Sequence, residues 1–170
     1  MAIKRYNSNS DTTISNAFKS DLLNRASNSN MGLSDILEMF SIYAQSTTSS
    51  LEQSRILINY PISKVLEDRV AGTIPASGSV NFYLRVFNAE HGQSVPKSYY
   101  ADVSAIAAPW EEGYGLDMEG YLNKGSACWL SSSDDPTTQA IKVSFLSDLV
   151  ADYGPSKYVS VYNGRNKRQD

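Results

Sequence analysis

Pro109-Trp110-Glu111-Glu112-Gly113-Tyr114-Gly115-Leu116-Asp117-Met118, followed by Trp129, is the stretch around which the rest of this chain is read. It holds one of the two tryptophans, and Trp129 is the other. The run is too irregular for a helix and too long for a hairpin turn. A long, patterned, non-repetitive loop in a compact domain is usually functional or strongly structural. The reading therefore turns on what lies either side of it.

The 170 residues suffice for one domain with a proper core, with or without an arm. Charged residues make up 19%, below the usual quarter of a globular domain, and serine, asparagine and tyrosine fill the difference. Eleven tyrosines against five phenylalanines suit β-structure or an interface. A net charge of −3 argues against sequence-independent nucleic-acid binding, which needs a basic face. The single cysteine, Cys128, excludes an intramolecular disulfide. No segment approaches the roughly 18 apolar residues of a membrane span, and no secretory signal is read at the N-terminus. Synthesis in the cytoplasm is the expectation.

Along the chain, polar turns separate short apolar runs. Residues 1–30 read as a polar N-terminal arm, with Ile14, Ala17, Phe18 and Leu22 spaced for one or two helical turns. The Asp11-Thr12-Thr13-Ile14 opening fits a short strand equally well. Asn28 to Gly32 is a turn cluster. Ile36 to Ala44 has no decisive period, and a strand is favoured. Ser54 to Ile62 reads as a buried strand ended by Pro61, and Val65 to Val70 as a short helical link. Ile74-Pro75-Ala76-Ser77-Gly78 is a turn. The clearest strand pattern is Val80 to Phe87, where Val80, Phe82, Leu84 and Val86 alternate with Asn81, Tyr83, Arg85 and Phe87. Ser98 to Ile106, Cys128 to Ser131, Ile141 to Leu146 and Lys157 to Tyr162 complete the strand candidates. Seven or eight short strands imply an all-β, antiparallel β-sandwich of jelly-roll type over residues 31–162, with a basic C-terminal tail at 163–170.

In this order the elements resemble the DNRLRE-type β-sandwich domain of bacterial surface proteins and tailed-phage virion proteins. The resemblance rests on the opening strand Asp11 to Ile14, the Asn30-Met31-Gly32 turn and the strand Ser54-Arg55-Ile56-Leu57-Ile58. It continues through the Ile74 to Gly78 turn, the Leu84 to Phe87 strand, and Val103 leading into Trp110-Glu111-Glu112-Gly113. It spans roughly residues 11–133, carried by order and spacing together. Gly115 to Met118 and Lys124 to Trp129 look more like phage particle proteins than adhesins. The family's Leu-x-Phe-Asp strand is departed from, since Tyr60-Pro61 stands there and the acidic residue is absent.

The residues offer little chemistry. Glu111, Glu112, Asp117 and Glu119 are the densest carboxylates, but nothing arranges two of them as a glycosidase pair across a cleft. Calcium at Asp117 and Glu119 is chemically feasible without any recognised calcium-loop spacing. His91 is the only histidine, so a transition-metal site or a Ser-His-Asp machine is not expected. Cys128 reads as buried packing rather than a nucleophile. The glycines make no phosphate loop. No catalytic residue, cofactor or metal site is assigned, and the chain is read as a non-enzyme.

Two functions remain. What the resemblance implies is a structural protein of a tailed-phage virion, attached to the capsid as decoration or cement, or to the neck or tail. Self-association and contacts to other virion proteins are then expected through residues 1–30, 163–170 and exposed tyrosines. The alternative is a carbohydrate-binding module recognising host polysaccharide through Trp110, Glu112, Tyr114, Asp117 and Trp129. Burial of both tryptophans at one end of the sandwich is the expectation against which that alternative is set.

Overall fold

In the computed structural model, residues 3–76, 78–90, 98–106, 109–120, 126–133 and 159–162 are described. The order of elements is β1 (Ser10–Ser15), β2 (Ser41–Tyr43), β3 (Leu51–Asn59), α1 (Ile62–Val70), β4 (Ser98–Ala101) and β5 (Val159–Tyr162). Strands outweigh helix among the described residues, consistent with an all-β fold. Contacts divide the chain into two compact units, Met1–Val80 with Ala108–Lys142, and Asn81–Ala107 with Val143–Asp170.

The first unit is built on a three-stranded antiparallel sheet in the order β1-β3-β2. β1 lies along the full length of the second half of β3, from Ser10 opposite Asn59 to Ser15 opposite Ser54. β2 covers the other end, with Ser41 opposite Gln53 and Tyr43 opposite Leu51. Thr12, Thr13 and Ile14 supply the β-branched side chains that a pleated surface accepts well. Thr12, Thr13, Ile14 and Ser15 are all buried, so both faces of β1 are covered.

Among the described residues β1 is an edge strand; one outer amide is capped by a side chain, and a β1 side chain ties down a neighbouring loop. Glu112 Oε1 accepts from the Asp11 amide at 2.6 Å, and Thr13 Oγ1 accepts from the Glu38 amide at 3.0 Å. Residues 10–15 therefore lie in the sheet rather than in a separate polar arm. Of the two readings open for this segment, the strand is realised, because its alternating sites find β3 on one side and loop residues on both faces. Ala17, Ala26 and Met31 are buried as well.

β3 stops at Asn59, two residues before Pro61, as expected of a residue with no amide to donate. α1 follows at once and ends in a complete Schellman arrangement. Thr73 donates to the Asp68 carbonyl at 2.8 Å and Gly72 to the Arg69 carbonyl at 3.1 Å, with Gly72 at φ +72°. The helical link predicted at Val65 to Val70 is thus present and begins one turn earlier.

Three strand expectations need correction. Ile36 to Ala44 contributes only the three residues of β2, which ends where Ala44 turns to φ +60° and donates to the Ser50 carbonyl at 2.8 Å. Val80 to Phe87 is not a strand despite its alternation, and Phe82, Tyr83, Val86 and Phe87 are exposed. Alternation states which side chains a strand would bury, but a ladder forms only with a partner. Cys128 to Ser131 is a tight turn, with the Cys128 amide on the Ser131 carbonyl at 2.8 Å.

In the second unit β4 pairs antiparallel with β5, from Ser98 opposite Tyr162 to Ala101 opposite Val159. The predicted strands at Ser98 and Lys157 are realised in those four-residue segments. The candidate strand Ile141 to Leu146, residues 157 and 158, His91, Tyr121 and the basic tail 163–170 lie outside the described residues.

Candidate functional site

The Trp110 loop is held by one buried side chain. Asn30 is fully buried, and both ends of its amide are used. Its Nδ2 donates to the carbonyls of Glu112 at 2.7 Å and Ala127 at 2.8 Å. Its Oδ1 accepts from the amides of Gly32 at 3.0 Å and Gly115 at 3.1 Å. Two acceptors on one side and two donors on the other determine which way the amide points. Every hydrogen-bonding position of the side chain is filled, which is what makes so polar a group tolerable in the interior.

The approach around Asn30 is too close for side chains. Gly113 has φ +79°, and a Cβ there would lie 2.5 Å from Asn30 Oδ1 and overlap Ser126. A Cβ on Gly32 would meet the carbonyl oxygen of Glu112, and that of Gly113 at 2.6 Å. The Asn-x-Gly turn and the Glu-Gly of the loop are thus two halves of one contact.

Further bonds complete the loop. The Glu111 amide donates to the Ser132 carbonyl at 2.9 Å, and the Ala127 amide to the Glu111 carbonyl at 2.8 Å. Leu33 donates to the Gly115 carbonyl at 2.9 Å, and Ser29 Oγ to the Met118 carbonyl at 3.1 Å. The carboxylate of Glu119 accepts from the Ser20 amide at 2.5 Å.

The five candidate ligand residues occupy different situations in this frame. Burial of both tryptophans was the expectation, and Trp110 and Trp129 are both half-buried. Arg55, projecting from β3, lies over the Trp129 ring with its guanidinium carbon 4.2 Å from the centroid. Glu112 is half-buried with its carboxylate committed to the Asp11 amide. Tyr114 is 77% exposed. Asp117 is exposed and uses Oδ1 to hold a turn, accepting from the amides of Glu119 at 2.8 Å and Gly120 at 2.7 Å. Asp117 was one of the two calcium candidates, and here its Oδ1 serves backbone closure. Among the described residues no group of three or more His, Cys, Asp or Glu side chains is placed to hold a metal ion. No helix among them is long and apolar enough to cross a membrane.

Sequence reasoning missed three groups. Asn30 was read as turn chemistry, and the following Gly32 was its only local signal. Glu52 is 1% exposed, on β3, and its Oε2 accepts from the Phe18 amide at 2.8 Å. Asp68 is the buried residue of α1 and accepts on Oδ2 from the Tyr6 hydroxyl at 2.8 Å, with Lys4 Nζ at 3.2 Å. The Tyr6 hydrogen bond holds the Asp68 carboxyl below its ordinary value, against the effect of burial, with Lys4 adding to the lowering. Burial and the same carboxylate push the Tyr6 phenol up. Asp21 is lowered by the Asn24 amide and side chain and by the Leu23 amide.

No family model, curated protein or solved structure matches this chain.

Proposed function

We propose that this protein is a non-enzymatic structural subunit of a tailed-phage virion, a jelly-roll β-sandwich that self-associates and binds other particle proteins. The observation that carries the reading is an inversion of the usual burial pattern. Among the described residues Ile14 is the one large apolar member of the fully buried set, and it is joined by Glu52, Asn30, Thr12, Thr13, Ser15, Ser29 and Ser132. Leu33, Ile36, Met39, Ile42, Tyr43 and Leu51 are exposed around β2 and the start of β3. Tyr43 and Leu51 face each other directly across the ladder and are 67% and 44% exposed. Apolar and aromatic surface gathered in this way marks contact with other chains.

The resemblance adds the particle setting. Its opening strand, its Asn-x-Gly turn and its Trp-Glu-Glu-Gly loop meet at Asp11, Asn30 and Glu112, as parts of one structural signature would. Virion association is tested by mass spectrometry of purified particles with stoichiometry. Hundreds of copies mean capsid decoration, and about six or twelve mean neck or tail, by the arithmetic of symmetric assembly. Absence from particles together with a monomeric state at all concentrations overturns the reading.

The half-buried tryptophans favour keeping polysaccharide binding as a second reading. Trp110 and Trp129 each keep part of their surface accessible, and Tyr114 is exposed. A glycan array blank for the wild-type protein removes it.

A further inference from the structure

The N-terminal segment ahead of β1 is attached to the first unit in a way that the sheet does not require. We propose that Lys4–Asn9 is a releasable strap, latched onto α1 by the Asp68 carboxylate, whose release leaves the β1–β3 ladder intact. This goes beyond the assembly reading and does not depend on it.

The attachment has two points. At the sheet end, the Asn9 amide donates to the Asn59 carbonyl at 2.8 Å and the Ser8 hydroxyl to the Asp11 carboxylate at 3.1 Å. At the helix end, the Tyr6 hydroxyl and the Lys4 ammonium converge on the same oxygen, Asp68 Oδ2, at 2.8 Å and 3.2 Å. Between and around them Lys4, Arg5, Asn7, Ser8 and Asn9 are exposed, and Tyr6 is half-buried. No apolar side chain of the segment is buried. Its docking therefore rests on polar contacts alone, and beyond the sheet end on one carboxylate, Asp68, hydrogen bonds to a charged group being the stronger kind.

α1 is built to match. Ile62, Leu66 and Val70 are exposed, whereas Asp68 is its only buried residue, at 7% exposure. An aspartate is seldom the residue a helix buries unless it is paired. The strap supplies that pairing. Lys64 and Arg69 on α1 and Lys4 and Tyr6 on the strap are the charged and titratable groups acting at this latch. Beside it, Arg69 Nε is buried with no hydrogen-bond partner among the described residues. The ladder begins at Ser10 and runs for six residues, so a detached strap gives up only the Asn9 amide bond and the exposed side-chain bond from Ser8 to Asp11 at the sheet. Freed, the segment is a short, extended, cationic arm that can order on a neighbouring molecule.

The test compares the wild type with Tyr6→Phe and Asp68→Asn by backbone NMR relaxation on the full chain. The wild type is expected to show order parameters near 0.85 at residues 4–9, falling below about 0.6 in both variants, the values of rigid and flexible backbone. Residues 10–15 and 51–59 stay rigid. Trypsin cleavage after Lys4 and Arg5 accelerates about tenfold, because proteolysis follows the population of the open form. Order retained at residues 4–9 in both variants overturns the latch. Order lost across the sheet in Tyr6→Phe, which removes one hydroxyl only, overturns the claim of independent release.

Discussion

The side-chain amide of Asn30 donates to the carbonyl oxygen of Glu112 at 2.7 Å, across 82 positions of sequence. With its bonds to Ala127, Gly32 and Gly115, that amide joins the turn after the first strand to both limbs of the tryptophan loop. Removing it leaves four backbone groups without their partner. Asn30→Ala is expected to lower stability by about 3–5 kcal/mol, since each orphaned buried group costs about 1–3 kcal/mol and such costs are not additive. Urea unfolding followed by tryptophan emission measures it.

Asn30→Asp has a different signature. A carboxylate accepts where two donors are needed, so it faces the carbonyls of Glu112 and Ala127 with like partial charge. Its folded-state pKa is expected to rise, and a group with a raised pKa is penalised as pH climbs and relieved as pH falls. The stability gap between Asn30→Asp and wild type should therefore narrow on going from pH 7 to pH 5.

Glycine substitutions separate close approach from backbone strain. Gly72 and Gly78 have φ of +72° and +90° with open space where a Cβ would go. Alanine at either is expected to cost about 1–2 kcal/mol, the left-handed penalty alone. Alanine at Gly113 adds overlap with Asn30 and Ser126, and is expected to cost several kcal/mol more or prevent folding. Equal melting shifts for Gly72→Ala and Gly113→Ala would contradict the packing described around Asn30.

Acid stability should carry the mark of Asp68. Its carboxyl is held below the ordinary value, so its contribution is complete above the unfolded pKa near 3.8 and is lost as pH falls through the lowered folded value. Asp21 behaves in the same sense. Asp68→Asn is expected to be less stable than wild type at pH 6, with a flatter fall in stability below pH 4. Parallel acid limbs for the two proteins would count against the assignment.

Arg55 over Trp129 gives an optical handle. Exposed cation–π contacts contribute about 0.5–1 kcal/mol, so Arg55→Ala should change stability little. With Trp110 replaced by phenylalanine, the remaining emission reports Trp129, and its wavelength is expected to move on loss of the guanidinium. An unchanged spectrum would mean the two side chains are apart in solution.

The surface proposal makes its own demand. Tyr43→Ser with Leu51→Ser should alter stability by less than about 0.5 kcal/mol, as exposed substitutions do. The same pair should reduce self-association in sedimentation or light scattering. Unaltered association places the contact elsewhere.

What the amino-acid sequence determined by itself was local. Pro61 ends β3 because it lacks an amide, and the helix after it is stopped by Gly72, whose φ costs no other residue so little. Thr12, Thr13 and Ile14 favour an extended chain, and short apolar runs between polar turns point to the β structure that outweighs helix among the described residues. The steric rules behind these outcomes act over a few neighbouring residues. Tertiary structure alone decided which extended runs found partners. β1, with Ile14 as its only apolar residue, is buried on both faces, while the regular alternation of Val80 to Phe87 forms no ladder. It also decided that Asn30, from a segment that reads as a turn, is the interior clamp of the Trp110 loop, and that Trp110 and Trp129 are half-buried. Strand pairing and buried polar networks depend on groups tens of residues apart meeting with all their hydrogen bonds satisfied, and no local pattern records that meeting.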